Sequence, residues 1–270
     1  MTRLRQGALR VFELSLGEML WSRRTLFMVL VLAAPVLLAI VARIIDASGT
    51  APLRVNGARV GGAGIFGVVM WVLFVRFIVP VLGVFYGTSL IADEVEDKTI
   101  TYLFTRPVRR AAVVLGKYLA YLVCTFGVVL PSVVIVYFLL VPFSAIPGSF
   151  VAFATDLGIL AVGLAAYGAL FAMVGAVIPR PLVVGLVFVF GWEQAALLMP
   201  GYLRRFTLAY YVQALVPHSM PSDNVVTLLQ AVFTETPGAL TCLLSLAVAS
   251  AVSLVIACRA VERREYVLEQ

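Results

Sequence analysis

The chain has 270 residues, 62% of them hydrophobic and 13% charged, with a formal net charge of +6. Soluble domains carry about a quarter charged residues, so composition excludes an ordinary water-soluble globule. The cations sit in short stretches between long apolar runs, the pattern that orients a membrane protein rather than the basic face that binds nucleic acid.

Residues 1–24 are mixed in character. Leu9, Phe12, Leu16 and Met19 recur at helical spacing with Arg5, Arg10, Glu13 and Glu18 elsewhere. This pattern predicts an amphipathic helix in the membrane surface. The next run, Leu26 to Ile45, is too long for a signal-peptide core and lacks a small-residue cleavage site after it, so it is read as the first span. Further spans are expected over Ile65 to Ile91, Ala111 to Val141, Phe150 to Ile178, Pro181 to Met199 and Ala239 to Ala257. A span needs roughly 20 residues, so the second, third and fourth must tilt, kink or project. Pro80 and Pro131 are the expected kink sites. The fold class is therefore an all-α polytopic membrane domain with six transmembrane helices, forming one unit over residues 1–270.

Orientation follows from the cations. With the N-terminus in the cytoplasm, the inside segments hold Arg3, Arg5, Arg10, Arg23, Arg24, Lys98, Arg106, Arg109, Arg110, Lys117, Arg180, Arg259, Arg263 and Arg264. The outside segments hold Arg54, Arg59, Arg204 and Arg205. The asymmetry places both termini inside, in the cell (inner) membrane. Segment 201–238 is then extracytoplasmic. Leu203, Phe206, Tyr210 and Ala214 keep helical spacing there, and Pro221-Ser222-Asp223 signals a second helix over Val225 to Phe233. Two short helices on the outer membrane surface are expected.

Three ionisable residues fall inside predicted spans: Arg76, Asp156 and Glu193. Such charges face protein or water. They suit either a translocation path or a structural ion pair of Arg76 with Glu193 or Asp156. Gly83 and Gly87 make a Gly-x-x-x-Gly step, and Ala161, Ala165, Ala169 and Gly168, Ala172, Ala176 repeat at i,i+4. These rows predict close helix packing. Cys124, Cys242 and Cys258 lie in apolar runs without metal spacing, and the lone His218 has no neighbouring ligand. No metal or cofactor site is expected in this chain.

The cytoplasmic stretch between the second and third spans, residues 92–110, carries the most information. On a helical wheel Glu94, Asp97, Lys98, Thr101 and Thr105 share one arc, while Ile100, Leu103 and Phe104 point away. Glu94 and Lys98 stand at the favourable i,i+4 spacing. Pro107 ends the helix. Read from the residues alone, this is a solvated connector. The order Glu94, Glu96, Lys98-Thr99, Ile100, Leu103, Arg106-Pro107-Val108 and Arg109, followed by Leu115-Gly116-Lys117, resembles the coupling segment of type-2 ABC transporter permeases. Lys98 stands where that family usually has Gly.

The resemblance implies a permease, usually an exporter, with a second permease subunit in a homodimer or heterodimer and two cytoplasmic ATPase subunits. Residues Glu94, Glu96, Asp97, Lys98, Thr99, Ile100, Leu103, Arg106, Pro107 and Arg109 would form the contact with the ATPase. ATP and magnesium would bind the partner. The sequence agrees on that point, because it contains no Gly-x-x-x-x-Gly-Lys-[Ser/Thr] loop, and Gly116-Lys117 is followed by Tyr118. A secondary transporter or channel is the alternative, but it generally shows inverted repeats or several central charges. A membrane enzyme needs clustered His, Asp, Ser or Cys. A purely structural subunit is compatible with the same spans. Apolar walls suit a lipid, peptide or hydrophobic compound as cargo.

Overall fold

The computed structural model describes residues 11–19, 23–48, 54–55, 58–59, 61–96, 110–198, 202–216 and 237–263. Among the described residues eight helical elements follow in order. Helix α1 covers 11–19, and α2 covers Arg23–Ser48. Helix α3 is continuous through Gly62–Val69, Met70–Ile78, Val79–Leu82, Gly83–Gly87 and Thr88–Glu96. Helix α4 is Arg110–Leu140, and α5 is Ile146–Val177, entered by the short turn Phe143–Ala145. Helix α6 joins Pro181–Val187, Phe188–Glu193 and Gln194–Leu198. After the turn Tyr202–Phe206 come α7, Leu208–Leu215, and α8, Ala239–Arg263. Two-residue strands Arg54–Val55 and Ala58–Arg59 pair antiparallel, Arg54 opposite Arg59.

Five of these helices are long and apolar enough to cross a bilayer: Thr25–Ser48, Gly62–Ala92, Arg110–Leu140, Phe143–Val177 and Ala239–Arg263. Each overlaps an expected span. The remaining expected span appears as a shorter apolar helix, Pro181–Ala196. At 1.5 Å per residue it is about 24 Å long, against about 30 Å of hydrocarbon.

Two polypeptide devices set the shape of α3. Pro80 has no amide proton, so the chain before it widens. Met70–Ile78 is a π-helical segment whose end is marked by the Val79 amide bonding Phe74 O, five residues back. A second π segment, Gly83–Gly87, follows one turn later. Pro131 and also Pro35 lie inside otherwise regular helices.

Helices α3 and α5 form the centre. Gly83 and Gly87 turn toward α5: a Cβ on Gly83 would lie 2.6 Å from Tyr167 Cβ, and one on Gly87 would lie 2.7 Å from Phe171 Cβ. In return, a Cβ on Gly175 of α5 would lie 2.3 Å from Thr88 O of α3. The Gly-x-x-x-Gly step therefore serves packing within the chain. On another side of α5, a Cβ at Gly168 would strike the Tyr121 ring of α4 at 2.1 Å. Tyr118 and Tyr121 donate to Ala165 O and Leu164 O, both at 2.9 Å. These hydroxyls use spare lone pairs of helical carbonyls, a form of glue suited to lipid surroundings.

The bundle has two ends. At one, Gly62 approaches Leu140 O so closely that a Cβ would lie 1.9 Å from it. Tyr137 there stacks on Phe153 at 4.0 Å and shares a 2.7 Å hydrogen bond with Ser149. The opposite end gathers Thr88, Gly175 and the start of α4. Helix α1 belongs to that end: Thr25, just beyond it, bonds Met19 O and receives the Tyr86 hydroxyl at 3.5 Å. Val11 and Ser15 of α1 are buried, while Leu14 is exposed. Helices α2 and α8 lie at the periphery and present exposed apolar rows, Leu30, Leu37, Val41 and Ile44 on one, Leu240, Leu244, Val248 and Val255 on the other.

Candidate functional site

The structure brings Arg76, Glu193 and the start of α7 into one polar layer inside the apolar bundle. Arg76 lies about 21 Å from the Gly62 end of α3, and Tyr167 about 15 Å from the Val177 end of α5, at the helical rise. Both residues lie well inside their helices. Arg76 belongs to the π segment Met70–Ile78, and Glu193 closes the π segment Phe188–Glu193. Such segments recur at functional sites.

Arg76 is half-buried. One guanidinium nitrogen donates to Gln194 Oε1 at 2.6 Å, and its Cζ stands 5.4 Å from the centre of the Trp71 ring. The hydrogen bond thus reaches the neighbour of Glu193, not its carboxylate. Glu193 is 1% exposed. Its Oε2 accepts from the Tyr167 hydroxyl at 2.7 Å and its Oε1 from the Ala209 amide at 3.3 Å. Asp156 is fully buried in α5.

Loss of the Arg76 contact has a readable cost. Arg76→Leu and Gln194→Leu are each expected to lower stability in detergent by about 1 kcal/mol. The double variant should lose no more than the larger single loss, because both remove the same bond. Denaturant melts of the three proteins check this.

The segment after Phe206 differs from expectation. The helical spacing of Leu203, Phe206, Tyr210 and Ala214 is interrupted at Thr207, whose backbone is extended. Thr207 turns the chain because its hydroxyl can cap: Oγ1 accepts from the Tyr210 amide at 3.4 Å and donates to Arg204 O at 2.8 Å. Helix α7 then buries Leu208, Ala209 and Val212 against the bundle. It is an inserted element with a packed face. The second expected helix, Val225 to Phe233, and His218 lie outside the described residues.

For the 92–110 segment the structure gives its two flanks. The α3 backbone stays helical through Glu94 and Glu96. Asp97, Lys98, Thr99, Ile100, Leu103, Arg106, Pro107 and Arg109 lie outside the described residues. At the other flank Arg110 donates to Val261 O at 3.5 Å and Glu262 O at 3.4 Å. Both carbonyls belong to the last described turn of α8. The two ends that bracket the segment are therefore tied to α5, through Thr88 and Gly175, and to α8.

Among the described residues no group of three or more His, Cys, Asp or Glu could hold a metal ion. The three cysteines are free. Tyr167, Gln194 and Thr207 complete the polar layer and had no signature in the sequence: each is an ordinary residue until the fold sets it beside Glu193 or Arg76.

A model of the ABC-2 family transporter proteins matches residues 10–266. The chain belongs to this family. No curated protein matches it significantly. Membership and the apolar helices together make it a multi-pass membrane permease of an ABC transporter. Subunits of this type are generally not enzymes and normally work with a cytoplasmic ABC ATPase.

Proposed function

We propose that this permease exports its cargo, a lipid, peptide or hydrophobic compound, using ATP hydrolysed by two copies of a separate ATPase. It has six spans, with α6 as the short fifth, and both termini are cytoplasmic. Residues 92–110 are the surface on which the ATPase pushes, and ATP and magnesium bind that partner. A second permease subunit completes the path, as the resemblance to type-2 ABC permeases implies.

One observation supports this reading above the others. The helices on either side of 97–109 are α3, the centre of the bundle, and α4, whose first residue Arg110 holds the end of α8. A load applied to the segment would enter the packed core through α3 and the periphery through α8. The Lys and Arg asymmetry puts the same end in the cytoplasm. Affinity isolation of the permease from native membranes in mild detergent tests the assembly. A soluble ATPase with a phosphate-binding loop is expected to co-purify in equal amount. A permease that transports in vesicles without ATP or that partner would establish the secondary-transporter alternative instead.

A further inference from the structure

Two amides in the first turn of α7 bond side chains. The first amides of a helix have no partner within it and ordinarily turn to water or to a cap. Here the Tyr210 amide goes to Thr207 Oγ1, and that of Ala209 goes to the Glu193 carboxylate. Thr207, Leu208 and Ala209 are all buried, so water does not serve. A carboxylate from another helix takes its place, and the positive end of the α7 dipole adds to the attraction.

The buried face of α7 offers less to hold it. Val212 lies beside Val79 of α3 and Gly163 of α5, where a Cβ on Gly163 would stand 3.5 Å from Val212 Cγ1 and 3.2 Å from Val79 Cγ1. In a bilayer such apolar contacts compete with lipid contacts of the same kind, so polar bonds weigh more in fixing position. Glu193 is itself held from the other side by Tyr167. Tyr167 in turn packs on Gly83 of α3, the helix that runs into residues 92–110. A continuous set of contacts links α3, Tyr167, Glu193 and the start of α7.

We propose that Glu193 is a latch that seats α7 as the outer gate of the translocation path, and that withdrawing α7 from this carboxylate opens the outer side. The idea rests on the permease reading for its direction, but the latch is tested separately. Movement of α3 against α5 shifts the Tyr167 ring, pulls the carboxylate away from the Ala209 amide and frees α7 to tilt. Glu193 is here a positioning residue, acting on the path through α7.

The test uses the full chain in intact cells, with Cys124, Cys242 and Cys258 replaced by Ala and one reporter cysteine introduced. Val212→Cys reports on α7. Val136→Cys, buried in α4, reports on the rest of the bundle. Labelling by a membrane-impermeant maleimide from outside is expected to be slow at both reporters. With Glu193→Gln, which keeps one acceptor oxygen but removes the charge, labelling of the α7 reporter should rise about tenfold, the scale by which a charge-assisted hydrogen bond exceeds a neutral one. With Tyr167→Phe, which keeps the ring, it should rise about threefold. The α4 reporter should stay protected in both.

Unchanged labelling at Val212→Cys in both variants would overturn the latch. So would equal exposure of both reporters, which means loss of the fold, and labelling only from the cytoplasmic side of inverted vesicles, which means the gate faces inward. If Glu193→Gln misfolds, Tyr167→Phe alone decides. The ATPase co-purification described above reports on the permease reading independently, so the two failures are distinguishable.

Discussion

Gly175→Val is expected to remove most of the folded protein from the membrane. A single Cβ at this position would already stand 2.3 Å from Thr88 O, 3.0 Å from Thr88 C and 3.1 Å from Thr88 Cα. All three are backbone atoms, so no side chain can swing aside. Helix α3 or α5 must move, and that movement spreads into the Gly83 and Gly87 contacts on the same seam. Overpacking of a tight core costs about 1–3 kcal/mol and more where backbone must shift. Gly127→Ala is the control, because nothing lies within 4 Å of a Cβ there. It should be neutral or gain up to about 1 kcal/mol from helix propensity. Size-exclusion profiles and thermal melts in detergent check both variants. Comparable behaviour of the two would contradict the α3–α5 packing.

The second large effect concerns the link to the motor. Replacing Leu103 by Asp, with Glu94→Ala and Glu96→Ala in the same chain, is expected to leave the permease folded and abolish ATP-driven transport. Leu103 is on the apolar side of the expected 92–110 helix, and a carboxylate there would have to be desolvated on docking. Central interface residues of this kind cost about 2 kcal/mol or more when lost, roughly 30-fold in affinity. The signature is a split result. Melting temperature and membrane level stay near wild type, while co-purified ATPase and transport fall together. Unchanged transport in this variant would remove residues 92–110 from the coupling role.

The spans were legible because bilayer thickness imposes a length and lipid imposes an uninterrupted apolar run. The run from Ile65 to Ile91 therefore announces the span found at Gly62–Ala92. Helix α6 was harder, since Glu193 and Gln194 sit in its upper part and its apolar portion is shorter than a full span. The rows of small residues announced close packing but not its partner. Only the fold shows that Gly83 meets Tyr167 while Gly168 meets Tyr121. The polar layer was half legible. A charge in an apolar run stands out, as Arg76 and Glu193 did, whereas the neutral groups that satisfy it do not. Gln194 and Tyr167 are bound to these charges across 118 and 26 residues of sequence, and no local period encodes such a distance. The break at Thr207 depends on a cap that a helix-spacing argument overlooks, because Leu203, Phe206 and Tyr210 remain in phase across it.

The central claim is that an ATPase docks on the segment between α3 and α4 at the cytoplasmic end. Site-specific photo-crosslinking in intact cells tests it most directly. A benzophenone side chain is placed at Leu103 in one variant and at Leu203, on the turn before α7, in another. The account predicts that the Leu103 probe captures a soluble nucleotide-binding protein and that the Leu203 probe captures none. Capture of the ATPase from Leu203, or of lipid alone from Leu103, would contradict it.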